Sequence, residues 1–252
     1  GAFLANCHNL FSDEQYLQLL WNLQHGADLR PLLAVIAVAC GISTGGTSEA
    51  LTGAFLSQRF IGSHHLFDRG RNIFKFLGIA ALSCMVSPTI GVTSLCLGGI
   101  VPWGIFGYSW FTWWLGDVAG MLVISPLLVT WLEKLKKDYP KENTLTRRGI
   151  FASPTLKWQV IEVILWLLLI GAIAKIAFGL RYPVEYLMIP LLVWAAFRFG
   201  RRGATFAIVL VSAIAIIGSI NGVSSFIRST LNESLLLLQA FIGSVSITTL
   251  VL

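Results

Sequence analysis

Apolar stretches of about twenty residues recur from one end of the chain to the other, and nothing else constrains its folding as strongly. A bilayer core is about 30 Å thick and a helix rises about 1.5 Å per residue, so each such stretch can cross it. They fall at Gly1 to about Leu10, then at roughly 31–57, 73–98, 105–131, 158–178, 185–198, 203–219 and 234–252. The runs are continuous and do not alternate, which selects helices over the strands of a barrel. Composition agrees: 56% of the 252 residues are hydrophobic and 12% charged, about half the charge of a typical soluble domain. The expected fold is an all-α polytopic transmembrane helical bundle of about eight membrane-spanning segments, the first truncated. It reads as one integral membrane domain over 1–252, with a solvated linker at about 132–157.

Loop charge sets the expected orientation. One set of loops carries Arg59, Arg69, Arg71 and Lys75, then Lys134, Lys136, Lys137, Lys141, Arg147, Arg148 and Lys157, and at the tight turn 198–202 Arg198, Arg201 and Arg202. The opposite loops hold Arg30, Arg181 and Arg228. Basic loops stay in the cytoplasm, so residue 252 is expected there too, with the chain multi-pass in a plasma membrane. The net charge of +6 then follows from topology and anionic inner-leaflet lipid. The lipid bilayer is the expected partner, and nucleic acid is not required.

Inside the spans, two ionisable residues stand out. Glu49 lies ten residues before Arg59, on the order of 15 Å from the inner end of its helix. Asp117 is about ten residues into its span from the other side. A charged group at mid-bilayer costs about 2.5–3.5 kcal/mol on insertion scales, so it needs a partner or a purpose. Both helices run in the same direction and are next-but-one in sequence, so they can pack and bring the carboxyls together. Around Glu49 lie Ser43, Thr44, Gly45, Gly46, Thr47 and Ser48; around Asp117 lie Gly116 and Gly120, a GxxxG, with Trp113 and Trp114 one turn earlier. Glycines at such spacing allow close helix contact, so Gly45, Gly46, Gly116 and Gly120 are expected to pack helices. Glu49, Asp117, Thr47, Ser48, Trp113 and Trp114 form a candidate intramembrane site. It serves either as a polar clamp between helices or as a ligand- or proton-responsive sensor.

Other features carry less. Trp103, Trp110, Trp113 and Trp114 with Tyr108 suit an interfacial aromatic belt. Pro88, Pro126 and Pro190 lie within spans and are expected to kink them. Cys7, Cys40, Cys84 and Cys96 lie in or beside apolar runs and read as small packing residues. A metal site at His64, His65 and Asp68, or at His8, Asp13 and His25, is the lesser reading of those clusters, and no metal or other cofactor is expected. There is no phosphate-cradling glycine loop, GxSxG elbow or HExxH. The longest hydrophilic loop is too short for a soluble domain, so this segment holds no catalytic residues and is not itself an enzyme.

GAFLAN at 1–6, GGTSEALTGAFLSQRF at 45–60, WWLGDVAGMLVISPLLVTW at 113–131, LLVWAAFRFGRRGA at 191–204 and LLLLQAFIGSVSITTLVL at 235–252 together resemble the bacterial membrane-associated sensor domain of the first type, the MASE family. These motifs cover nearly the whole chain in order. Where the family often has GNTLEALLGA, this chain has Gly46 for the Asn and Ser48 for the Leu. The resemblance implies an N-terminal sensory module governing a C-terminal cytoplasmic output domain beyond 252, a sensor histidine kinase or a diguanylate cyclase. It also implies a homodimer in the full-length protein and a stimulus that is an undefined small ligand or membrane partner. The alternative reading is a small-solute or proton transporter or channel.

Overall fold

Lipid offers no partner to a backbone N–H or C=O, so a chain of this composition satisfies its backbone inside helices. The structure, a computed structural model, describes residues 30–62, 70–137, 154–179, 185–222 and 224–251, and no strand occurs among them. The helices are α1 (Arg30–Phe60), α2 (Gly70–Ser83), α3 (Val86–Leu97), α4 (Phe106–Lys137), α5 (Pro154–Ala174), α6 (Met188–Ile220) and α7 (Leu231–Val251). Short 3₁₀ turns at Trp103–Ile105 and Glu185–Leu187 lead into α4 and α6, and a π turn at Lys175–Gly179 closes α5. Hydroxyls within the spans fold back onto the preceding turn. Thr44 donates to the Cys40 carbonyl (2.7 Å), Thr93 to that of Thr89 (2.6 Å) and Thr249 to that of Val245 (2.8 Å). These threonines thus sit in lipid-length helices without an open hydrogen bond.

Six stretches are long and apolar enough to cross a membrane: Leu32–Phe60, Gly70–Leu97, Trp103–Leu132, Val160–Ala177, Glu185–Ile220 and Leu231–Val251. This corrects the expected count of about eight. The first expected span, at 1–10, lies outside the described residues. The two expected at 185–198 and 203–219 lie within the one stretch Glu185–Ile220, which counts once by length. That stretch is broken inside at Gly200, with φ 65 and ψ −169, a conformation open essentially to glycine alone. A Cβ on Gly203 would lie 3.5 Å from the Ala195 carbonyl oxygen, whereas eight residues of straight helix separate two points by about 12 Å. The chain therefore doubles back at Gly200.

Of the three prolines expected to kink spans, only Pro88 accompanies a break. Having no N–H, it returns no bond to the carbonyl of Cys84, and Cys84 and Met85 form the turn between α2 and α3. Pro126 lies within the unbroken α4, where Thr130 donates to its carbonyl (2.7 Å). Pro190 is in the first turn of α6, where its missing N–H breaks no helical bond.

Two compact units divide the chain, Gly1–Val118 and Ala119–Leu252. In the first, α1 packs on α2 and α3. A Cβ on Gly98 would overlap Val38, one on Gly41 would overlap the Ser94 hydroxyl, and one on Gly45 would lie 3.1 Å from the Ser87 carbonyl. Rising numbers on α1 meet falling numbers on α3, so the two helices are antiparallel. In the second unit, Trp166, Ile170, Met188, Leu192, Ile208 and Val245 belong to one buried core. The Trp166 N–H donates to the Leu191 carbonyl (3.0 Å) and Arg198 pairs with Glu162 (2.5 Å). These contacts set α5 antiparallel to the first arm of α6. The Thr130 and Thr205 hydroxyls meet at 3.3 Å. The later end of α4, the start of α5 and the Gly200 turn therefore share one end of this unit.

Candidate functional site

In the first unit the antiparallel register carries Glu49 one turn past Gly45, to the level of the α2–α3 break. There its carboxyl meets the Cys84 thiol and the carboxyl of Asp117, which α4 supplies. Asp117 also receives hydrogen bonds from the Ser87 hydroxyl and, one turn back on its own helix, the Trp113 indole N–H. Cys84 and Ser87 are buried, and Glu49, Trp113 and Asp117 are half-buried. Glu49 Oε2 and Asp117 Oδ2 are each closed off from solvent with no hydrogen-bond donor. Two acids from separate helices of the first unit thus converge among neutral donors: a thiol, a hydroxyl and an indole.

The close approach has a visible cause. Gly91 on α3 lies under the Trp113 ring, and a Cβ there would fall 2.8 Å from its Cη2. Trp114 donates its N–H to the Ala81 carbonyl (2.9 Å), and Trp110 donates to Thr89 Oγ1 (3.0 Å). α4 is thereby tied to the ends of α2 and α3 on both sides of the break. Trp110, Trp113 and Trp114 are half-buried with their polar edges engaged in protein. Trp103 and Tyr108 remain exposed.

The remaining candidates separate. Thr47 is exposed and returns its hydroxyl to the Ser43 carbonyl (2.8 Å), so it stays out of the acid pair. Ser48 is half-buried, and Trp114 is a neighbour through Ala81. Among the glycines, Gly45 packs closely, but a Cβ on Gly46 or Gly120 would meet nothing within 4 Å. The packing expected of those two is absent in the structure, and Gly41 and Gly91 take that role. Gly116 is half-buried. Cys40 is exposed, whereas Cys84 and Cys96 are buried. Both histidine clusters and Cys7 lie outside the described residues. Among the described residues no group of three or more His, Cys, Asp or Glu is arranged to hold a metal ion.

Cys84 and Ser87 went unrecognised as site residues because SCMVSP at 83–88 reads as apolar packing. The signal available was a pair of small polar residues just before an in-span proline. A further buried acid, Glu185, opens the turn before α6 and holds its Oε1 without a partner.

Comparison with curated proteins and with solved structures gave no match. The MASE1 family matches over residues 36–252, nearly the whole chain and every described helix but the first turns of α1. With helices of membrane-crossing length and a motif order to fit, the chain belongs to the MASE1 family of membrane sensory domains and is a multi-pass membrane protein.

Proposed function

We propose that this chain is the signal-input domain of a bacterial signalling protein of the inner membrane. In this reading the Glu49–Asp117 pair is its sensing site, and a cytoplasmic histidine kinase or diguanylate cyclase is the output it regulates. One observation carries the reading: two submerged acids from separate helices meet at the one proline-broken helix junction, each with an oxygen left without a donor. A purely structural clamp is expected to fill its hydrogen bonds, since an unmet buried acceptor costs about 1–3 kcal/mol. A site that changes state carries that cost in one state and is relieved of it in another. A stimulus shifts such an equilibrium only through its different affinity for the two states. The break between α2 and α3 supplies the movable joint.

The orientation belongs to the same proposal. Fourteen basic residues on one set of loops against three on the other favour the cytoplasm for the ends of α4 and α5 that meet at the Gly200 turn, and for the end of α7. The output domain and a dimeric full-length protein are further parts of the reading.

The test uses the full-length protein in its native membrane. Glu49→Gln and Asp117→Asn each keep shape and remove the acid. Each is expected to change basal output at least about fivefold while the amount of protein in the membrane stays the same. If both variants fold and signal as the parent does, the pair is a clamp and the sensing site lies elsewhere.

A further inference from the structure

The second unit contains a different anomaly, in the contact between α6 and α7. Nine serine and threonine residues are buried among the described residues. Seven of these hydroxyls have a partner: Ser83, Ser87, Thr112, Thr130, Thr205, Ser224 and Thr249. Ser212 on α6 and Ser246 on α7 have none, although they are 5% and 0% exposed. A helical serine normally returns its hydroxyl to the carbonyl four residues back, as Ser219 does to Ala215 at 2.9 Å. These two do not, and each lacks a bond worth about 1–3 kcal/mol when buried.

Three neighbouring features bear on that loss. The second arm of α6 lies between two glycines of positive φ, Gly200 (65) and Gly222 (71), so both of its connections sit at backbone positions outside the helical region. The buried residues of that arm are Ala204, Thr205, Ala207, Ile208, Val211, Ser212, Ala215 and Gly218; apart from Ile208 and Val211 their side chains are small and offer few obstacles to sliding or rotation. The buried residues of α7 include Ile242, Val245, Ser246 and Thr249, and α6 and α7 pack together. Two packed helices that each hold a buried hydroxyl without a partner are suited to more than one register.

We propose that the second arm of α6 has two seatings against α7, and that the structure holds the one in which Ser212 and Ser246 are unbonded. In the other, a rotation or a shift of part of a turn lets the two hydroxyls find partners across the interface, and the arm moves as a rod about Gly200 and Gly222. The gain in hydrogen bonding offsets the poorer packing, so the two seatings lie close in free energy. In the function proposed above α7 leads toward the output, so its change of seating is the natural outlet for a signal. That use rests on the function proposed above, whereas the existence of two seatings does not.

The experiment measures the distance between spin labels at Ile216 on the arm and Ile247 on α7, both partly exposed to the surroundings. Genetically encoded handles attach the labels, leaving the native cysteines in place, and the whole chain is reconstituted in lipid nanodiscs. Two distance populations are expected. Ser212→Ala with Ser246→Ala removes the advantage of the second seating and shifts their ratio at least about fivefold toward the first. Thermal stability is expected to hold or rise, because no existing bond is lost. Ser212→Cys, nearly the same size with a weaker donor, is expected to shift the ratio less. A single population unmoved by the substitutions, or an Ala pair that lowers stability, overturns the proposal. Two populations with unchanged output in the full-length protein keep the two seatings and sink the sensory reading of them.

Discussion

Gly45 and Gly46 are neighbours in sequence with opposite surroundings. Gly45 faces the Ser87 carbonyl at a distance that leaves no room for a larger side chain, whereas Gly46 faces open space. Gly45→Val is therefore expected to lower stability by about 1–3 kcal/mol through overpacking. Gly46→Ala is expected to change it little or raise it by about 0.5–1 kcal/mol, since glycine weakens a helix interior. Unfolding of the purified chain in detergent distinguishes the two, and equal losses would contradict the antiparallel α1–α3 register. Residue-level legibility in the sequence follows the same division. Glu49 and Asp117 were visible because charge is costly in lipid, so depth alone marked them. Cys84 and Ser87 were invisible, because small polar residues tolerate lipid and only the fold shows what they touch. Glycine spacing marked a close contact near Gly45, but which glycine faces the neighbour depends on helix rotation, and sequence does not fix that.

Among elements, the α2–α3 junction governs the site, since it holds Ser83, Cys84 and Ser87 at one turn. Pro88→Ala restores the missing N–H and is expected to knit α2 and α3 into one helix. Amide exchange over residues 84–89 would then slow at least about tenfold, and Ser87 would turn away from Asp117. Hydrogen–deuterium exchange of the membrane-reconstituted chain measures this, and unchanged exchange would place the cause of the break elsewhere. The spans themselves were largely legible, because a run of apolar residues and a bilayer have the same length scale. The first described span, expected at 31–57, is Leu32–Phe60. Legibility failed at junctions. The proline signal was right at Pro88 and wrong at Pro190, whose place in a first turn depends on where α6 starts. The two spans expected at 185–198 and 203–219 count as one stretch by length, and the backbone of Gly200 within the basic turn 198–202 parts it into two arms.

For the whole molecule, the proposed orientation makes the basic end of the second unit cytoplasmic. Single cysteines at Lys136 and Arg201, introduced without disturbing Cys84, are expected to be labelled by a membrane-impermeant reagent only after the inner membrane is opened. Labelling of both in intact spheroplasts would reverse the topology and remove the cytoplasmic output from the reading. Gly200 has a consequence at this scale that reaches beyond its own turn. A stretch that turns back on itself begins and finishes on one face of the membrane, so it adds two crossings where a straight rod would add one. Whether Val251 faces the cytoplasm or the periplasm is therefore decided by one residue's backbone angle. An alanine at that position, forced out of the glycine-only region, should send a fraction of molecules into the membrane with their last helix inverted, and a reporter fused after Val251 would then light up in the wrong compartment.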